Sequence, residues 1–309
     1  MPNTLAHFGI QGVVSRGAIP RADCKWVLLG CVIPDLPWII RRAVITLVPN
    51  VDPYGLRLYG IAQASLMILL LLCGALALLS QRPRQVFLVL SFNALLHLVL
   101  DALQTKWGLG VHLFAPFTWE AWNAALFWPD STMTYTLTAG GVVYFVWAWM
   151  RPAGDSVGIA ALSGRGSRAW FRLAGALVLF VAFFLMPFFL RAGPLAADNQ
   201  SVKTLLEEEA RLGRFVQFDR GRYEKGENGD LLFSFAGEGF VVTGEQALSS
   251  GRVSARATFT AQDTIFVHAL HEHIPRLRDF SSYFGLLLLL LVWVRGFAGN
   301  QDQTPDLRG

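Results

Sequence analysis

The stretch VFLVLSFNALLHLVLDAL, residues 86–103, is an apolar run interrupted by two ionisable side chains, His97 and Asp101. A run of about 17–25 apolar residues is long enough to cross the hydrocarbon core of a bilayer as one helix. Residues four positions apart lie on the same face of a helix, so His97 and Asp101 are predicted to be neighbours. Ionisable groups inside a membrane helix are energetically costly, and the pair is therefore expected to have a partner or a function.

Other apolar stretches of similar character lie on both sides of this run. They cover residues 61–79, 135–150, 171–190 and 283–294. Charged residues make up only 16% of the chain, whereas a soluble domain usually carries about 25%. The sequence therefore predicts an α-helical integral membrane protein with about five spanning helices.

Residues 26–48 are also apolar, but Pro34, Asp35 and Pro37 interrupt their middle. Proline removes a backbone donor and blocks a continuous helix. Irregular backbone at membrane depth is tolerated only where protein or a cavity covers it. We therefore expect a broken or re-entrant pair of half-helices in this segment rather than a continuous span.

Residues 191–281 are polar, and their pattern changes to short strands after a helix at 201–212. The predicted strands are 214–218, 231–235, 239–243, 252–260 and 264–269. This pattern predicts a small β-rich, OB-like domain at residues 191–281. It is inserted between a membrane-embedded helical domain, residues 1–190, and a C-terminal transmembrane helix. The predicted C-terminal helix covers residues 282–298, with a tail at 299–309.

The distribution of basic residues predicts how the chain is oriented. The loops at 81–85 and 151–169 are basic, whereas residues 104–133 carry a single Lys and no Arg. Because cytoplasmic loops are enriched in Lys and Arg, these loops and the C-terminus are predicted to be cytoplasmic, with residues 191–281 extracytoplasmic. The modest excess of positive charge is interpreted as this topology signal, so no nucleic-acid partner is expected.

Several side chains are candidates for chemistry, and each has a structural alternative. His97 and Asp101 have a spacing that suits one divalent metal ion, or they form a hydrogen-bonded pair that joins two helices. Asp35 is either a ligand or the cap of a helix that begins after Pro34. His7 is equally consistent with an ordinary interfacial histidine. His271 and His273 share one face of a predicted strand and suit either a metal ion or solvent.

Four motifs occur in an order that resembles a known family. They are NTLAHFG at residues 3–9, GCVIPD at 30–35, HLVLD at 97–101 and GLGVHLFAPF at 108–117. Their order and spacing resemble the bacterial inner-membrane-associated metal-dependent hydrolases, a family grouped distantly with zinc-dependent phospholipase C and P1-type nuclease. The resemblance covers about residues 1–120.

The resemblance implies that His7, Asp35, His97 and Asp101 bind a divalent metal ion, most simply zinc, and that Asp35, His97 and Asp101 act in catalysis. It implies a multi-pass protein of the bacterial cytoplasmic (inner) membrane, in contact with the lipid bilayer. The expected function is the hydrolysis of a lipid, or of another ester or phosphodiester. His112 follows the last acidic ligand and is a candidate for a supporting role.

One segment departs from the family pattern. Where the family has a His-Arg-Gly-x-Thr-His-Ser-type segment, this chain has RLYGIAQASL at residues 57–66, and both histidines are absent. Gln63 is a weaker ligand than imidazole. The missing histidines motivate an alternative function, a non-enzymatic membrane protein whose polar domain binds an envelope component or a partner protein.

Overall fold

Helices and one small β barrel make up the fold of the chain. The computed structural model describes residues 4–19, 22–150, 157–159, 167–227, 229–274 and 277–301. The first six helices are α1 (Thr4–Ala18), α2 (Cys24–Val32), α3 (Leu36–Leu47), α4 (Pro53–Gln63), α5 (Leu66–Leu78) and α6 (Pro83–Ala102). They are followed by α7 (Thr132–Met150), α8 (Ser167–Leu190), α9 (Ala192–Ala197), α10 (Val202–Leu206) and, after the barrel, α11 (Leu277–Gln301).

The sequence sets the helix boundaries through its capping residues and prolines. Asp23 caps α2, where its side chain accepts a hydrogen bond from the Lys25 backbone N–H. Asp52 caps α4 by accepting from the backbone N–H groups of residues 54 and 55, and Pro53 occupies the first helical position. Between α2 and α3 the chain forms a short 3-10 turn, Ile33–Asp35, at the predicted site of interruption.

The packing of α1 brings the N-terminal motif against the rest of the helices. Gly9 on α1 and Gly141 on α7 lie so close that a Cβ on Gly9 would lie 2.7 Å from the Gly141 Cα. On another side, the Ser15 hydroxyl donates to the Asn93 side-chain oxygen at 2.9 Å, which joins α1 to α6. The two helices run antiparallel, so the start of α1 lies beside the end of α6.

The prediction of an integral membrane protein with about five spanning helices is wrong. Within the described residues, two helical segments are long and apolar enough to cross a membrane, Pro83–Ala102 and Ser167–Ala197. A third span exists only if α4 and α5 count as one, and these two helices are bent by 68° at the break between them. The apolar run at 61–79 is divided because Ser65 has extended backbone angles and its hydroxyl bonds to the Ala62 carbonyl.

Helix packing explains much of the hydrophobicity that suggested membrane spans. In an apolar stretch of 18 residues within α6, 44% of the residues are buried inside the protein. In the corresponding stretch of Ser167–Ala197 the buried share is 17%. Side chains of α1, α2, α5 and α6 form one continuous apolar core. On α7, apolar residues alternate with Thr, Gly, Tyr and Trp, which makes it less apolar than its predicted spanning role requires.

The β-rich insert is a closed five-stranded barrel. Its strands are β1 (Phe215–Glu224), β2 (Leu231–Phe233), β3 (Gly239–Gly244), β4 (Gly251–Phe259) and β5 (Thr264–His273). The order around the barrel is β1-β2-β3-β5-β4, with β3 and β5 parallel and every other pair antiparallel. On β4, Val253, Ala255, Ala257 and Phe259 face the barrel core, as the alternating sequence pattern requires. The predicted helix at 201–212 is shorter than expected, since α10 ends at Leu206.

One irregularity in the barrel affects the rest of the molecule. The register between β1 and β4 shifts between Phe218 and Gly221, and Arg220 has a φ of 52°. This β-bulge bends the strand where it faces the helices, and bulges of this kind re-aim side chains. Asp219 and Arg220 are thereby placed at the boundary between the barrel and the helical part of the chain.

Candidate metal centre and adjoining cavity

The four predicted metal ligands lie together at the end of α6. The ligand atoms of His7, His97 and Asp101 are all within 4.8 Å of one another. His7 Nε2 is 3.7 Å from Asp101 Oδ1, and His97 Nε2 is 3.8 Å from Asp101 Oδ2. Asp35 joins the group with its Oδ1 atom 3.3 Å from His97 Nε2. Three separate elements, α1, the 3-10 turn and α6, therefore contribute to one cluster.

Three of the atoms that face each other in this cluster lack hydrogen bonds. His7 Nε2, His97 Nε2 and Asp35 Oδ1 are buried without a hydrogen-bond partner among the described residues, whereas Asp101 Oδ1 forms an ion pair with Lys106. Buried polar groups are nearly always paired, so three unpaired atoms at one point require an explanation. Two imidazoles and two carboxylates are a donor set that zinc and similar divalent ions accept. The residues present fit a metal ion.

Supporting hydrogen bonds hold both imidazoles in place. His97 Nδ1 lies 2.6 Å from the Cys31 carbonyl oxygen, so this nitrogen donates to it and the Nε2 atom faces Asp35 and Asp101. Gln11 Nε2 lies 2.9 Å from His7 Nδ1, and this bond, in which the amide donates to the ring, fixes the orientation of His7. The two rings stack with their centroids 3.8 Å apart. Burial, followed by the neighbouring His97, lowers the pKa of His7 to about 4, which keeps the ring neutral as a ligand must be.

The structure shows whether Asp35 caps a helix and where Gln63 and His112 lie relative to the cluster. Asp35 immediately precedes α3, but its side chain accepts no capping hydrogen bond there. Gln63 donates to the Tyr59 hydroxyl at 3.1 Å rather than contacting any of the four clustered side chains. His112 is buried away from them with its Nδ1 atom 3.1 Å from the Trp119 carbonyl oxygen. The described residues therefore offer one cluster of four ligands at this point.

Sequence reasoning missed Lys106. Its ammonium lies 3.1 Å from Asp101 Oδ1, and the residue is almost completely buried. Lys106 follows α6 by one turn of irregular chain, so no helical spacing connects it to Asp101. It places a positive charge beside one of the carboxylates.

A cavity of about 230 Å³ adjoins the cluster and is bounded by both parts of the molecule. Asp101 and Lys106 form one side, and Asp219 and Arg220 of the barrel bulge form another. Arg41 of α3 and Arg57 of α4 complete a lining that contains four basic and two acidic side chains. Sequence reasoning missed this cavity, because its charged residues are spread over about 180 positions of the chain.

The second histidine cluster is a set of hydrogen bonds between the helical part and the barrel. Asp130 Oδ1 lies 3.1 Å from His271 Nε2, and Asp130 Oδ2 lies 3.0 Å from His273 Nδ1 and accepts from the Ile274 backbone N–H. His273 Nε2 bonds to the Ser254 hydroxyl at 2.8 Å. Although the three ligand atoms are close enough for a metal ion, they already satisfy each other. This cluster, Asp130 with His271 and His273, is called the barrel clasp below.

The clasp makes stability depend on pH. Burial lowers the pKa of His273 despite its hydrogen bond to Asp130, so the unfolded chain binds a proton more readily than the folded one. The contribution of neutral His273 to the free energy of unfolding is complete above the ordinary histidine pKa of about 6.5. It is lost as the pH falls below that value. We expect the melting temperature to fall from pH 7.5 to pH 5, and to fall less in His273→Asn, measured by calorimetry in detergent. Equal slopes in the two proteins would contradict this assignment.

Comparisons with known proteins found no relative. No protein-family model, no curated protein and no solved structure matches this chain. The resemblance of residues 1–120 to the metal-dependent hydrolases stays a prediction. The function is therefore argued from the geometry of the cluster and the cavity.

Proposed function

We propose that this chain is a divalent-metal-dependent hydrolase of a bacterial cytoplasmic membrane, in which His7, Asp35, His97 and Asp101 bind the ion. The observation that carries the proposal is the convergence of two imidazoles and two carboxylates, in which His7 Nε2, His97 Nε2 and Asp35 Oδ1 are buried without hydrogen-bond partners among the described residues. Zinc is the ion that this donor set most simply suits. The substrate class is an ester or phosphodiester, including those of lipids.

The chain's own residues would prepare this centre for hydrolysis. An ion bound there would supply a nucleophile by lowering the pKa of a water molecule and would polarise an ester oxygen. Cys31 and Gln11 orient the two imidazoles, Asp35 and Asp101 add negative charge, and the buried walls keep bulk water away. Lys106 lies where its ammonium can reach both Asp101 and a group held in the cavity.

Membrane attachment is supported by the outer surface of α8. Large apolar side chains project from this helix without protein cover, among them Trp170, Phe171, Val178 and Phe189. A soluble protein rarely exposes a continuous apolar surface of this kind, which suits lipid chains. Two or three spans, rather than five, are the number that this proposal uses.

The proposal is tested by hydrolysis with and without metal. We expect the detergent-purified protein to cleave bis(p-nitrophenyl) phosphate or p-nitrophenyl acetate, to lose this activity on treatment with a chelator, and to regain it with zinc. His97→Ala should have no activity under any of these conditions, whereas His268→Ala, on the exposed side of β5, should match the wild type. Activity that survives in His97→Ala would overturn the proposal.

A second candidate function is a non-enzymatic membrane protein, and one observation favours it. Lys106 already places an ammonium 3.1 Å from Asp101, so the chain itself supplies a cation to part of the cluster. In that case the cluster joins α1 to α6, and the barrel binds an envelope component or a partner protein. Such a protein would contain no metal after purification.

A further inference from the structure

Two arginines at the cavity, the buried Arg57 and the half-buried Arg41, form no salt bridge among the described residues, although Asp219 lies near Arg57. Arg57 is only 9% exposed, and among the described residues its guanidinium makes neither a salt bridge nor a hydrogen bond. Arg41 is half-buried, and its Nε and Nη2 atoms are buried without a hydrogen-bond partner among the described residues. Buried charges are normally paired or bound to a ligand, because an isolated charge loses its hydration without compensation. An anion bound between the two guanidinium groups would supply this compensation.

The barrel holds these arginines in place through an aromatic ring. The Arg57 guanidinium lies 4.2 Å from the centre of the Phe235 ring, and that of Arg41 lies 5.8 Å from the same ring. Stacking on an aromatic face orients a guanidinium but leaves its edge donors available. Two cations brought onto one ring also repel each other, and an anion between them would remove this repulsion.

The cavity that these arginines line has the charge and size for a small anion. Arg41, Arg57, Lys106 and Arg220 outnumber Asp101 and Asp219, so the lining has a net charge of +2. At about 230 Å³ the cavity is smaller than the roughly 300 Å³ at which pockets for whole ligands begin. It therefore suits one polar group of a larger molecule rather than an acyl chain.

We propose that Arg41, Arg57, Lys106 and Arg220 form a phosphate-binding subsite, which holds the phosphate group of the substrate beside Asp101. Guanidinium groups present donors in a planar fork that matches phosphate oxygens, and several cations together favour a phosphate over a singly charged carboxylate. The role of this subsite in catalysis rests on the proposed hydrolase function, but phosphate binding itself does not require the metal. The barrel supplies Arg220 and Phe235, and so it is part of the substrate site.

The test measures phosphate binding by the full-length protein in detergent, with a chelator present throughout. Inorganic phosphate is titrated by calorimetry into the wild type, Arg57→Gln, Arg41→Gln and Arg222→Gln. Arg222 is a matched control, because it stacks on Phe233 at 4.0 Å but is exposed and paired with Glu224. We expect binding in the wild type and in Arg222→Gln, and a dissociation constant roughly tenfold to a hundredfold weaker in Arg57→Gln and in Arg41→Gln.

The variants are expected to fold, because removing a buried charge without a partner costs no ion pair. In phosphate-free buffer, Arg57→Gln should melt at the wild-type temperature or above it. Arg57→Lys keeps the charge without the planar fork and should also bind phosphate more weakly. Absence of binding in the wild type, unchanged binding in both arginine variants, or equal binding of acetate would each overturn the proposal.

The source of the phosphate is distinguished by comparing glycerol phosphate with phosphatidic acid in mixed micelles. Tighter binding of phosphatidic acid than of glycerol phosphate supports the subsite and identifies a lipid headgroup as its ligand. Equal binding of the two supports the subsite and identifies a soluble phosphate ester as its ligand. Because all titrations are done without metal, a protein that binds phosphate but no zinc retains the subsite and loses only the proposed hydrolase function.

Discussion

Replacing both His97 and Asp101 with alanine should reduce the zinc content of the purified protein from about one equivalent to background. The two side chains supply half of the four clustered ligands, and the remaining pair, on α1 and on the 3-10 turn, cannot complete a tetrahedral site. The measurement is elemental analysis by mass spectrometry after exchange into metal-free detergent buffer. Manganese and iron are measured in the same samples, since the donor set also accepts them.

The control for this experiment is the double variant His268→Ala/Asp263→Ala. It also replaces one histidine and one aspartate, but both lie on the outer surface of the barrel, where His268 bonds to the Thr258 hydroxyl. This variant should retain the wild-type metal content. If the wild type itself contains no metal, the second candidate function is favoured, and the Asp101–Lys106 pair is then the reason for the cluster.

Replacing Asp130 with alanine is expected to lower the free energy of unfolding by roughly 3 kcal/mol, since three hydrogen bonds to a charged group, two of them partly buried, are lost together. The carboxylate pairs with His271 and His273 and accepts the Ile274 backbone N–H. Burial alone would raise the pKa of Asp130, but the hydrogen bonds from His273 and His271 outweigh it and hold this pKa below its ordinary value. The carboxylate is therefore ionised at neutral pH. Calorimetry in detergent measures the change.

Two further variants separate this effect from a general loss of charge. Glu245→Ala removes an exposed acid from the barrel and should change the melting temperature little. Asp130→Asn preserves the shape and part of the hydrogen bonding, so it should fall between the wild type and Asp130→Ala. A loss in Glu245→Ala as large as that in Asp130→Ala would show that the clasp has no special role.

Local patterns in the sequence predicted the elements better than their assembly. The prolines and Asp35 correctly indicated the break between α2 and α3, and the helical spacing of His97 and Asp101 placed both on one face of α6. The structure also brings His7 and Asp35 to that face, although whether the four bind an ion remains a prediction. Apolar runs were the misleading signal, because a helix buried in protein and a helix in lipid have the same composition.

Long-range contacts could not be predicted from these patterns. Asp130 meets His271 across 141 positions of sequence, and nothing in the spacing of either residue indicates the other. Arg220 reaches the cavity only because a bulge in β1 turns it there, and bulges are not visible in an alternation of side chains. The break at Ser65 was also missed, since a single serine in an apolar run is usually accommodated within a helix.

The β-bulge at Asp219 and Arg220 brings barrel residues into the wall of the cavity but not into the four-residue cluster. The side chains of the four-residue cluster come from the helical part of the chain alone, whereas one wall of the cavity comes from the barrel. Substitutions in the barrel can therefore change the cavity and leave the four clustered side chains untouched. The cluster and one wall of the cavity are encoded in different stretches of the sequence, and each can change while the other is preserved.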